Sequence, residues 1–298
     1  PYTTLFRSHN LQRLQFEQLL IATGGRPRLP GAAWAQHPCV MTLRSWDDAA
    51  RLRQGLQGCR RLAIVGGGWI GLEIAASARR LGAEVTVFER QPALCMRSVG
   101  ADVSQALLEL HRQQGVTVLC GCGEISLEDR DGAAWIGSEV SDPQAFDLVV
   151  VGIGVELNLE LARSAGLAIE SGIVVDGQGR TSHPAIFAAG DVARHPTLGL
   201  CLQSWAYAQN QAISTACAML DAFAAPYDDV AWLWSDQYDA NIHILGVPSG
   251  GVHHVVRRTP QSQVFFTLNA DRQLVQMVAF NDARTIKLGK RWLASGRV

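Results

Sequence analysis

Three glycines at fixed spacing, Gly66, Gly68 and Gly71, stand between a short apolar run and a segment with helical periodicity. Residues 62–65 are continuously apolar, which predicts a strand that is buried on both faces of a parallel sheet. Apolar side chains then recur at helical spacing over residues 70–78, and a second apolar run follows. This strand, glycine turn, helix and strand together predict the start of a dinucleotide-binding βαβ unit.

Each glycine of the G-x-G-x-x-G pattern has a physical reason. The first allows a tight turn, the second lets a pyrophosphate approach the backbone, and the third lets helix and strand pack closely. Glu89 ends the second strand, where a carboxylate accepts hydrogen bonds from an adenosine 2′-hydroxyl. This favours NADH over NADPH, whereas the neighbouring Arg90 is a residue type that accommodates a 2′-phosphate.

Glu73 lies in the first turns of the predicted helix. One interpretation is a carboxylate that the positive end of the helix dipole stabilises. The other is a group that faces the carboxamide of a bound nicotinamide. The sequence leaves both open.

Further strands and helices alternate along the chain, which predicts a doubly wound α/β sheet. After Pro226 the pattern changes to strand-like runs and a final amphipathic segment, which predicts a small α+β domain. The predicted strands cover residues 16–22, 62–65, 85–88, 116–119, 148–151, 186–189, 242–245 and 264–268. One predicted helix begins near residues 45–47, and three others cover residues 70–78, 103–110 and 283–293. Gly82 is the predicted C-cap of the helix at residues 70–78.

Composition excludes several classes of protein. The 298 residues are 48% hydrophobic and 18% charged, which is typical of a globular chain of about two domains. A formal net charge of −1 gives no general attraction to nucleic acid. The sequence shows neither a membrane-spanning run nor a signal peptide, and its seven cysteines are scattered. We therefore expect a cytoplasmic location, with no nucleic-acid or membrane partner.

A second ligand segment is predicted at residues 181–191, where an apolar strand ends at Gly190 and Asp191. Ligands of α/β proteins bind at the carboxyl ends of parallel strands, and an Asp there accepts hydrogen bonds from a polyol chain. The alternative is that Asp191 caps a helix that begins at Val192.

Together with Ala22-Thr23-Gly24 and Gly152-Ile153-Gly154, these segments resemble, in content and order, the flavoprotein reductases that have two dinucleotide-binding domains. The resemblance implies an α/β fold with two Rossmann-like domains, of which the FAD domain is incomplete and the NAD domain is inserted into it. It implies that FAD contacts Thr23, Gly24, Gly190 and Asp191. It implies that NADH contacts Gly66, Gly68, Ile70, Gly71, Glu73 and Glu89, with Arg97 on the adenosine side and Gly154 near the nicotinamide.

The C-terminal part of the sequence restricts the resemblance to one group of these reductases. Residues 232–238, W-L-W-S-D-Q-Y, are similar to a segment of the ferredoxin reductases of aromatic-ring dioxygenase systems. That family places Trp234 beside the flavin ring, whereas ordinary core packing is the alternative for Trp232 and Trp234. Gln203 departs from the family, which often has Glu there.

The implied function is transfer of electrons from NADH through FAD to a [2Fe-2S] ferredoxin that serves an aromatic-ring-hydroxylating dioxygenase. The cofactors carry this chemistry, so we expect no catalytic acid or base. A basic C-terminal segment is a candidate ferredoxin face, and an ordinary solvated helix is the alternative. Its cations are Arg284, Lys287, Lys290, Arg291 and Arg297, against the single acid Asp282.

The domain organisation follows from these segments. We predict a partial FAD domain at 9–45 and 166–225, an NAD domain at 46–165, and a C-terminal reductase domain at 226–298. Residues 1–8 resemble a translated sequencing adapter, and the family's first FAD-binding glycine motif is missing, so we expect an N-terminally truncated chain that holds FAD weakly. The alternatives are a rubredoxin, monodehydroascorbate or disulfide reductase, and a non-catalytic NAD-binding fragment.

Overall fold

The computed structural model describes residues 3–7 and 13–295. Two compact units divide the chain: the described residues up to Arg26 with Glu156–Leu233, and Pro27–Val155 with the described part of Trp234–Val298. The predicted domain bounds and the adapter origin of residues 1–8 stay predictions. Pro1, Tyr2, Ser8 and Arg297 lie outside the described residues.

Twelve strands lie within the described residues 3–7 and 13–151. They are β1 (Thr3–Arg7), β2 (Arg13–Phe16), β3 (Leu19–Ile21), β4 (Gly25–Pro27), β5 (Val40–Met41), β6 (Arg61–Val65), β7 (Glu84–Glu89), β8 (Thr117–Cys120), β9 (Ile125–Arg130), β10 (Ala133–Ser138), β11 (Ser141–Phe146) and β12 (Leu148–Val151).

Nine further strands and the helices complete the described fold. The strands are β13 (Val155–Leu157), β14 (Ile173–Val174), β15 (Ile186–Ala188), β16 (Ala193–Arg194), β17 (Trp232–Gln237), β18 (Ala240–Gly246), β19 (His253–Arg258), β20 (Gln263–Leu268) and β21 (Leu274–Phe280). The helices are α1 (Ala32–Gln36), α2 (Trp46–Gly55), α3 (Trp69–Arg80), α4 (Ala101–Gln113), α5 (Glu160–Ser164), α6 (Trp205–Leu220) and α7 (Ala283–Ser295), with a 3-10 turn at Gly190–Val192.

A five-stranded sheet in the order β5-β12-β6-β7-β8 forms the centre of the second unit. All four strand pairs are parallel. Residues 62–65 and 148–151 are buried throughout, as the continuous apolar runs predicted. Because α3 joins β6 to β7 and α4 joins β7 to β8, the predicted βαβ arrangement is confirmed.

Helix boundaries in this unit follow local sequence signals. Ser45 accepts a hydrogen bond from the Asp48 backbone, and the Asp48 carboxylate accepts one from the Ser45 backbone, which forms a capping box at the start of α2. After α3, Gly82 has a φ of +90°, a conformation that favours glycine over other residues. The predicted helix start near residue 45 is therefore confirmed. The predicted C-cap is one residue too late, because the C-cap of α3 is Leu81 and Gly82 follows it.

A three-stranded antiparallel sheet, β11-β10-β9, was not predicted. Its first turn is Asp131-Gly132, and both residues have positive φ, as a two-residue hairpin turn requires. Ala134, Ile136 and Phe146 pack with residues of β6, β7 and β12 in one buried cluster. The sheet therefore covers part of one face of the parallel sheet.

The first unit has a smaller core. β15 pairs in parallel with β3, in the register Ile186↔Leu19 and Ala188↔Ile21. Ile21, Ile186 and Ala188 belong to a buried apolar cluster that also includes residues of α5 and β14. The pairing places the ends of two strands that are far apart in sequence beside each other.

The C-terminal region is a five-stranded sheet in the order β17-β18-β21-β20-β19, with α7 against β21 and β18. This confirms the predicted α+β character. A Cβ atom added at Gly289 would lie 2.2 Å from the Met277 side chain, so glycine allows α7 to approach the sheet closely. Among the helices of the described residues, none combines the length and the apolar character that a membrane-spanning helix needs.

Candidate functional site

Gly66, in the loop between β6 and α3, and Gly71, in the first turn of α3, are required by the packing of the protein itself. Gly66 has a φ of +110°, and a Cβ atom there would lie 2.5 Å from the Gly152 carbonyl oxygen. A Cβ atom at Gly71 would lie 2.3 Å from the Gly66 carbonyl oxygen. Both distances are too short for any side chain, so these glycines hold the turn and α3 against the sheet.

Gly68 differs from its neighbours. Its backbone is extended, with a φ of −85°, and the nearest atom to an added Cβ would be the Gly152 oxygen at 4.0 Å. Among the described residues, none fills this space at the start of α3, where unpaired backbone N–H groups and the helix dipole attract anions. The loop therefore fits a dinucleotide pyrophosphate, and this contact gives a reason for glycine at Gly68.

The Glu89 carboxylate lies beside this loop. One of its oxygens, Oε2, accepts a hydrogen bond from the Gly67 backbone N–H at 2.6 Å. The other, Oε1, accepts one from the Gln91 backbone N–H at 2.6 Å. Each oxygen keeps a further lone pair, so the carboxylate is oriented and still able to accept a ribose hydroxyl.

Glu73 lies on α3 and is half-buried. Its Oε1 accepts a hydrogen bond from the Ser235 hydroxyl at 2.6 Å. Burial raises the pKa of Glu73 above its ordinary value, and the hydrogen bond from Ser235 opposes this rise. The side chain is thus held by a residue of β17 and is more than a carboxylate near a helix terminus.

Two predicted residues meet at the end of β12, the strand beside β6. A Cβ atom at Gly154 would lie 3.1 Å from Nη2 of Arg97, so this side chain lies against the glycine backbone. Ile70, at the start of α3, keeps 45% of its side chain exposed. The second unit therefore brings together the glycine loop and the Gly154 segment at the carboxyl ends of neighbouring parallel strands.

In the first unit, the two predicted flavin segments follow the neighbouring parallel strands β3 and β15. Thr23 donates a hydrogen bond from Oγ1 to the Asn158 carbonyl at 2.7 Å, and the Asn158 amide donates one to the Thr23 carbonyl at 2.8 Å. Gly24 and Gly190 have φ values of +58° and +75°, which only glycine adopts readily. Asp191 lies in the 3-10 turn and does not cap an α-helix.

A buried glutamine, which the family resemblance includes without a role, supports the second of these segments. Gln211 lies on α6 and is 3% exposed. Its Oε1 accepts the Gly190 backbone N–H at 2.8 Å, and its Nε2 donates to the Ala188 carbonyl at 3.2 Å. This side chain thus fixes the backbone at the end of β15.

Residues 234–237, which we call the W-S-D-Q segment, alternate between exposed and buried side chains along β17. Trp234 is 39% exposed, whereas Ser235 and Gln237 are 0% exposed. Trp234 is therefore not a core residue, which removes the packing alternative for it. Trp232 is half-buried.

Gln237 leads from Ser235 to His111, which the sequence did not single out, and then to Tyr238, the last residue of the W-L-W-S-D-Q-Y segment. Its Nε2 donates to the Ser235 hydroxyl at 3.0 Å, and its Oε1 lies 2.9 Å from His111 Nε2. The Tyr238 hydroxyl lies 3.2 Å from His111 Nδ1. His111 occupies a core position of α4 in the same helical row as Val103 and Leu107, and this periodicity is the signal that identifies it.

His183 and His195, which lie near the second flavin segment, are loop residues. His195 Nδ1 accepts backbone N–H groups from Thr197 and Leu198. His183 Nδ1 accepts the Ala185 N–H. Both rings therefore stabilise local turns.

A family model for pyridine nucleotide-disulphide oxidoreductases matches residues 3–212. The chain belongs to this family. A second model, described as the reductase C-terminal domain, matches residues 232–298. Members of the pyridine nucleotide-disulphide oxidoreductase family use FAD and NAD(H), so the predicted fold class, cofactors and oxidoreductase activity are confirmed.

Two relatives and one solved structure place the chain more closely within the family. It is 39% identical to the ferredoxin–NAD(+) reductase component of the anthranilate 1,2-dioxygenase system of Burkholderia cepacia, over 95% of this chain and 71% of that protein. It is 36% identical to the corresponding component of the p-cumate 2,3-dioxygenase system of Pseudomonas putida, over 95% of this chain and 70% of that protein. The covalent putidaredoxin reductase–putidaredoxin complex has a TM-score of 0.89 and 30% identity, over 99% of this chain and 74% of that one.

These similarities confirm the predicted resemblance to ferredoxin reductases of dioxygenase systems. The role of each site residue toward FAD or NADH stays a prediction. What the structure adds is their arrangement within each unit, and the hydrogen bonds of Gln211, Gln237 and His111 that support it.

Proposed function

We propose that this protein passes electrons from NADH through FAD to a [2Fe-2S] ferredoxin, which serves an aromatic-ring-hydroxylating dioxygenase. The observation that carries this proposal is the similarity to two dioxygenase reductase components, which extends over 95% of the chain and includes the C-terminal domain. The glycine loop with Glu89 and the paired strand ends at Gly24 and Gly190 supply binding elements for both cofactors.

NADH binding is the role of the second unit. The backbone N–H groups at the start of α3 hold the pyrophosphate beside Gly68, and Glu89 accepts the adenosine ribose hydroxyls. Arg97 contacts the adenosine side, and Glu73 accepts the carboxamide N–H of the nicotinamide. When bound, the two cofactors would supply the redox chemistry, which is hydride transfer from nicotinamide to flavin and single-electron transfer to the iron–sulfur protein.

FAD binding involves the first unit. Asp191 accepts hydrogen bonds from the polyol chain of the flavin, and the glycine backbones of Gly24 and Gly190 let the cofactor approach the strand ends. Trp234, which lies on the more exposed face of β17, is the residue assigned to the flavin ring by the family resemblance.

Helix α7 is the proposed ferredoxin face. Arg284, Lys287 and Arg291 are exposed on it. The single acid of the segment, Asp282, accepts the Thr285 backbone N–H at 3.0 Å and pairs with Arg257 at 2.6 Å. Because the Arg257 ion pair already engages this acid, the exposed surface of α7 is basic and suits an acidic electron-transfer partner.

An acceptor comparison tests the proposal. The purified protein, with FAD added, is given NADH and one of four acceptors: a dye, a [2Fe-2S] ferredoxin, a rubredoxin or a disulfide. We expect rapid dye and ferredoxin reduction and slow reduction of rubredoxin and disulfide. Preference for rubredoxin or disulfide would contradict the proposed acceptor, and NADH binding without any turnover would indicate a non-catalytic NAD-binding protein.

A further inference from the structure

A continuous line of side-chain hydrogen bonds connects Glu73 to Tyr238 in the second unit. It runs from the Glu73 carboxylate through the Ser235 hydroxyl, the Gln237 amide and the His111 ring to the Tyr238 hydroxyl, with separations of 2.6, 3.0, 2.9 and 3.2 Å. Its members come from α3, β17 and α4, and from the residue after β17. We call this line the Glu73 chain.

The donors and acceptors of the Glu73 chain have one consistent direction. An ionised carboxylate only accepts, so the Ser235 hydroxyl donates to Glu73 and its oxygen accepts from Gln237 Nε2. The amide oxygen of Gln237 must then accept from His111, which puts the imidazole proton on Nε2. This leaves Nδ1 to accept from the Tyr238 hydroxyl.

The three inner members are completely buried. Ser235, Gln237 and His111 are each 0% exposed. Burying a polar side chain is costly unless it is hydrogen-bonded, and each of the three has hydrogen-bond partners within the Glu73 chain. Burial lowers the pKa of His111, so the ring is neutral at physiological pH and accepts at Nδ1, in agreement with the direction above.

The Glu73 carboxylate, at one end of the Glu73 chain, indicates what these hydrogen bonds do. Glu73 follows Gly71 on α3, and one of its carboxylate oxygens is already committed to Ser235. With the Ser235 hydroxyl as a donor, the carboxylate is oriented and keeps lone pairs for a further donor.

We propose that Ser235, Gln237 and His111 are positioning residues, which orient the Glu73 carboxylate so that it accepts the carboxamide N–H of bound nicotinamide. The inference rests on the proposed function, because it requires NADH at α3. It gives the buried half of the W-S-D-Q segment a role in NADH binding that is separate from the role assigned to Trp234.

A double-mutant cycle on nucleotide binding tests this proposal. NAD(+) is titrated against the protein by calorimetry, without turnover, for the wild type, Ser235→Ala, Glu73→Gln and the double variant. We expect each single change to weaken binding roughly tenfold, because an oriented charged hydrogen bond is lost. We expect the double variant to bind no more weakly than Glu73→Gln, because Ser235 acts through Glu73.

The controls separate positioning from folding. Ser138→Ala removes a hydroxyl–hydroxyl hydrogen bond of 2.8 Å between β10 and β11, and should leave NAD(+) affinity unchanged. Tyr238→Phe removes only the outermost, half-buried link, and should fold normally and weaken binding two- to threefold, roughly. In 15N NMR spectra, the His111 proton should be on Nε2.

Several results would overturn the inference. They are an unchanged affinity in Ser235→Ala, an equal effect of Ser235→Ala with and without Glu73, or a His111 proton on Nδ1. A wild-type protein that does not bind NAD(+) at all would instead contradict the proposed function itself. Normal wild-type binding together with an inert Ser235→Ala would leave the function standing and remove the positioning role.

Discussion

Gly68 directly precedes α3 and Gly71 lies in the first turn of that helix, but the protein requires glycine at only one of the two for its own packing. A Cβ atom at Gly71 would lie 2.3 Å from the Gly66 oxygen, whereas at Gly68 the nearest atom is 4.0 Å away. We expect Gly71→Ala to lower the free energy of unfolding by about 1–3 kcal/mol. Gly68→Ala should lower it by less than about 1 kcal/mol but weaken NAD(+) binding roughly tenfold or more, because the methyl group meets the pyrophosphate.

Chemical denaturation and calorimetric titration of the two variants check this difference. Gly31→Ala is a suitable control, since an added Cβ there meets no atom within 4 Å. Equal loss of stability in Gly68→Ala and Gly71→Ala would show that both glycines serve packing only.

Glu89 is placed to discriminate between the two pyridine nucleotides. Its carboxylate is held by the Gly67 and Gln91 backbones beside the glycine loop, so its charge would repel a 2′-phosphate. We expect Glu89→Gln, which keeps the shape and removes the charge, to lower the preference for NADH over NADPH roughly tenfold. The measurement is the ratio of kcat/KM values for the two nucleotides with a dye acceptor.

Glu84→Gln is the matched control, because Glu84 is exposed at the opposite end of the same strand. It should leave the nucleotide preference unchanged. If Glu89→Gln also leaves the ratio unchanged, the neighbouring Arg90 or another group sets the preference.

At the level of single residues, the sequence was informative where a backbone requirement is local. The glycine loop and Glu89 follow from spacing alone, since their roles depend on one strand, one turn and one helix. Gln237 and His111 are 126 positions apart, and their hydrogen bond depends on tertiary structure. The buried row of α4 nevertheless indicates that a polar group at His111 needs a partner.

Helix α6 holds the end of β15 through one side chain. Gln211 is buried and satisfies both the Gly190 N–H and the Ala188 carbonyl. We expect Gln211→Leu to lower the free energy of unfolding by about 1–3 kcal/mol, because it leaves a buried backbone N–H without an acceptor. The same variant should hold less FAD, since Gly190 and Asp191 lose their fixed backbone.

Thermal or chemical unfolding and the flavin absorbance after reconstitution measure these two effects. Gln209→Leu on the same helix is the control, because Gln209 is exposed and should change stability by no more than about 0.5 kcal/mol. Normal stability and normal FAD content in Gln211→Leu would contradict the role given to this residue.

Strands that are continuous apolar runs were predicted, whereas the three strands of the antiparallel sheet β11-β10-β9 were not. The parallel strands are continuous apolar runs, so residues 62–65 and 148–151 were identified. β9 and β11 largely alternate half-buried and exposed positions over few residues, and β11 contains a proline, which weakens its strand pattern. The Asp131-Gly132 turn was the available sign of this sheet.

At the scale of the whole molecule, one unit is inserted in sequence within the other, and local sequence patterns predict this insertion only in part. The first unit is assembled from segments on either side of residues 27–155, through the pairing of β3 with β15. The family resemblance supplied this insertion, whereas hydrophobic periodicity gave only the strands themselves. Parallel pairing between distant segments depends on tertiary packing, which periodicity does not specify.

The charge of the whole chain makes a final prediction possible. Because the formal net charge is only −1, attraction to an acidic ferredoxin must come from a local surface such as that of α7. Exposed charges are screened beyond about 10 Å at 0.1 M salt. We therefore expect the KM for ferredoxin to rise with added salt, while the KM for NADH in the dye assay changes little.

In the variant Lys287→Glu/Arg291→Glu, the ferredoxin KM should be roughly tenfold higher at low salt and should no longer rise with salt.

The control for this variant must change the net charge equally at another place. Arg53→Glu/Arg112→Glu does so at exposed positions of α2 and α4. If the α7 variant and this control raise the ferredoxin KM equally, attraction depends on total charge and α7 is not the docking face. If only the α7 variant does so, while its NADH-to-dye activity is normal, electrons leave the protein near α7. The loss of salt dependence is then decisive, because a fold defect would lower the rate at every ionic strength and would not change the slope.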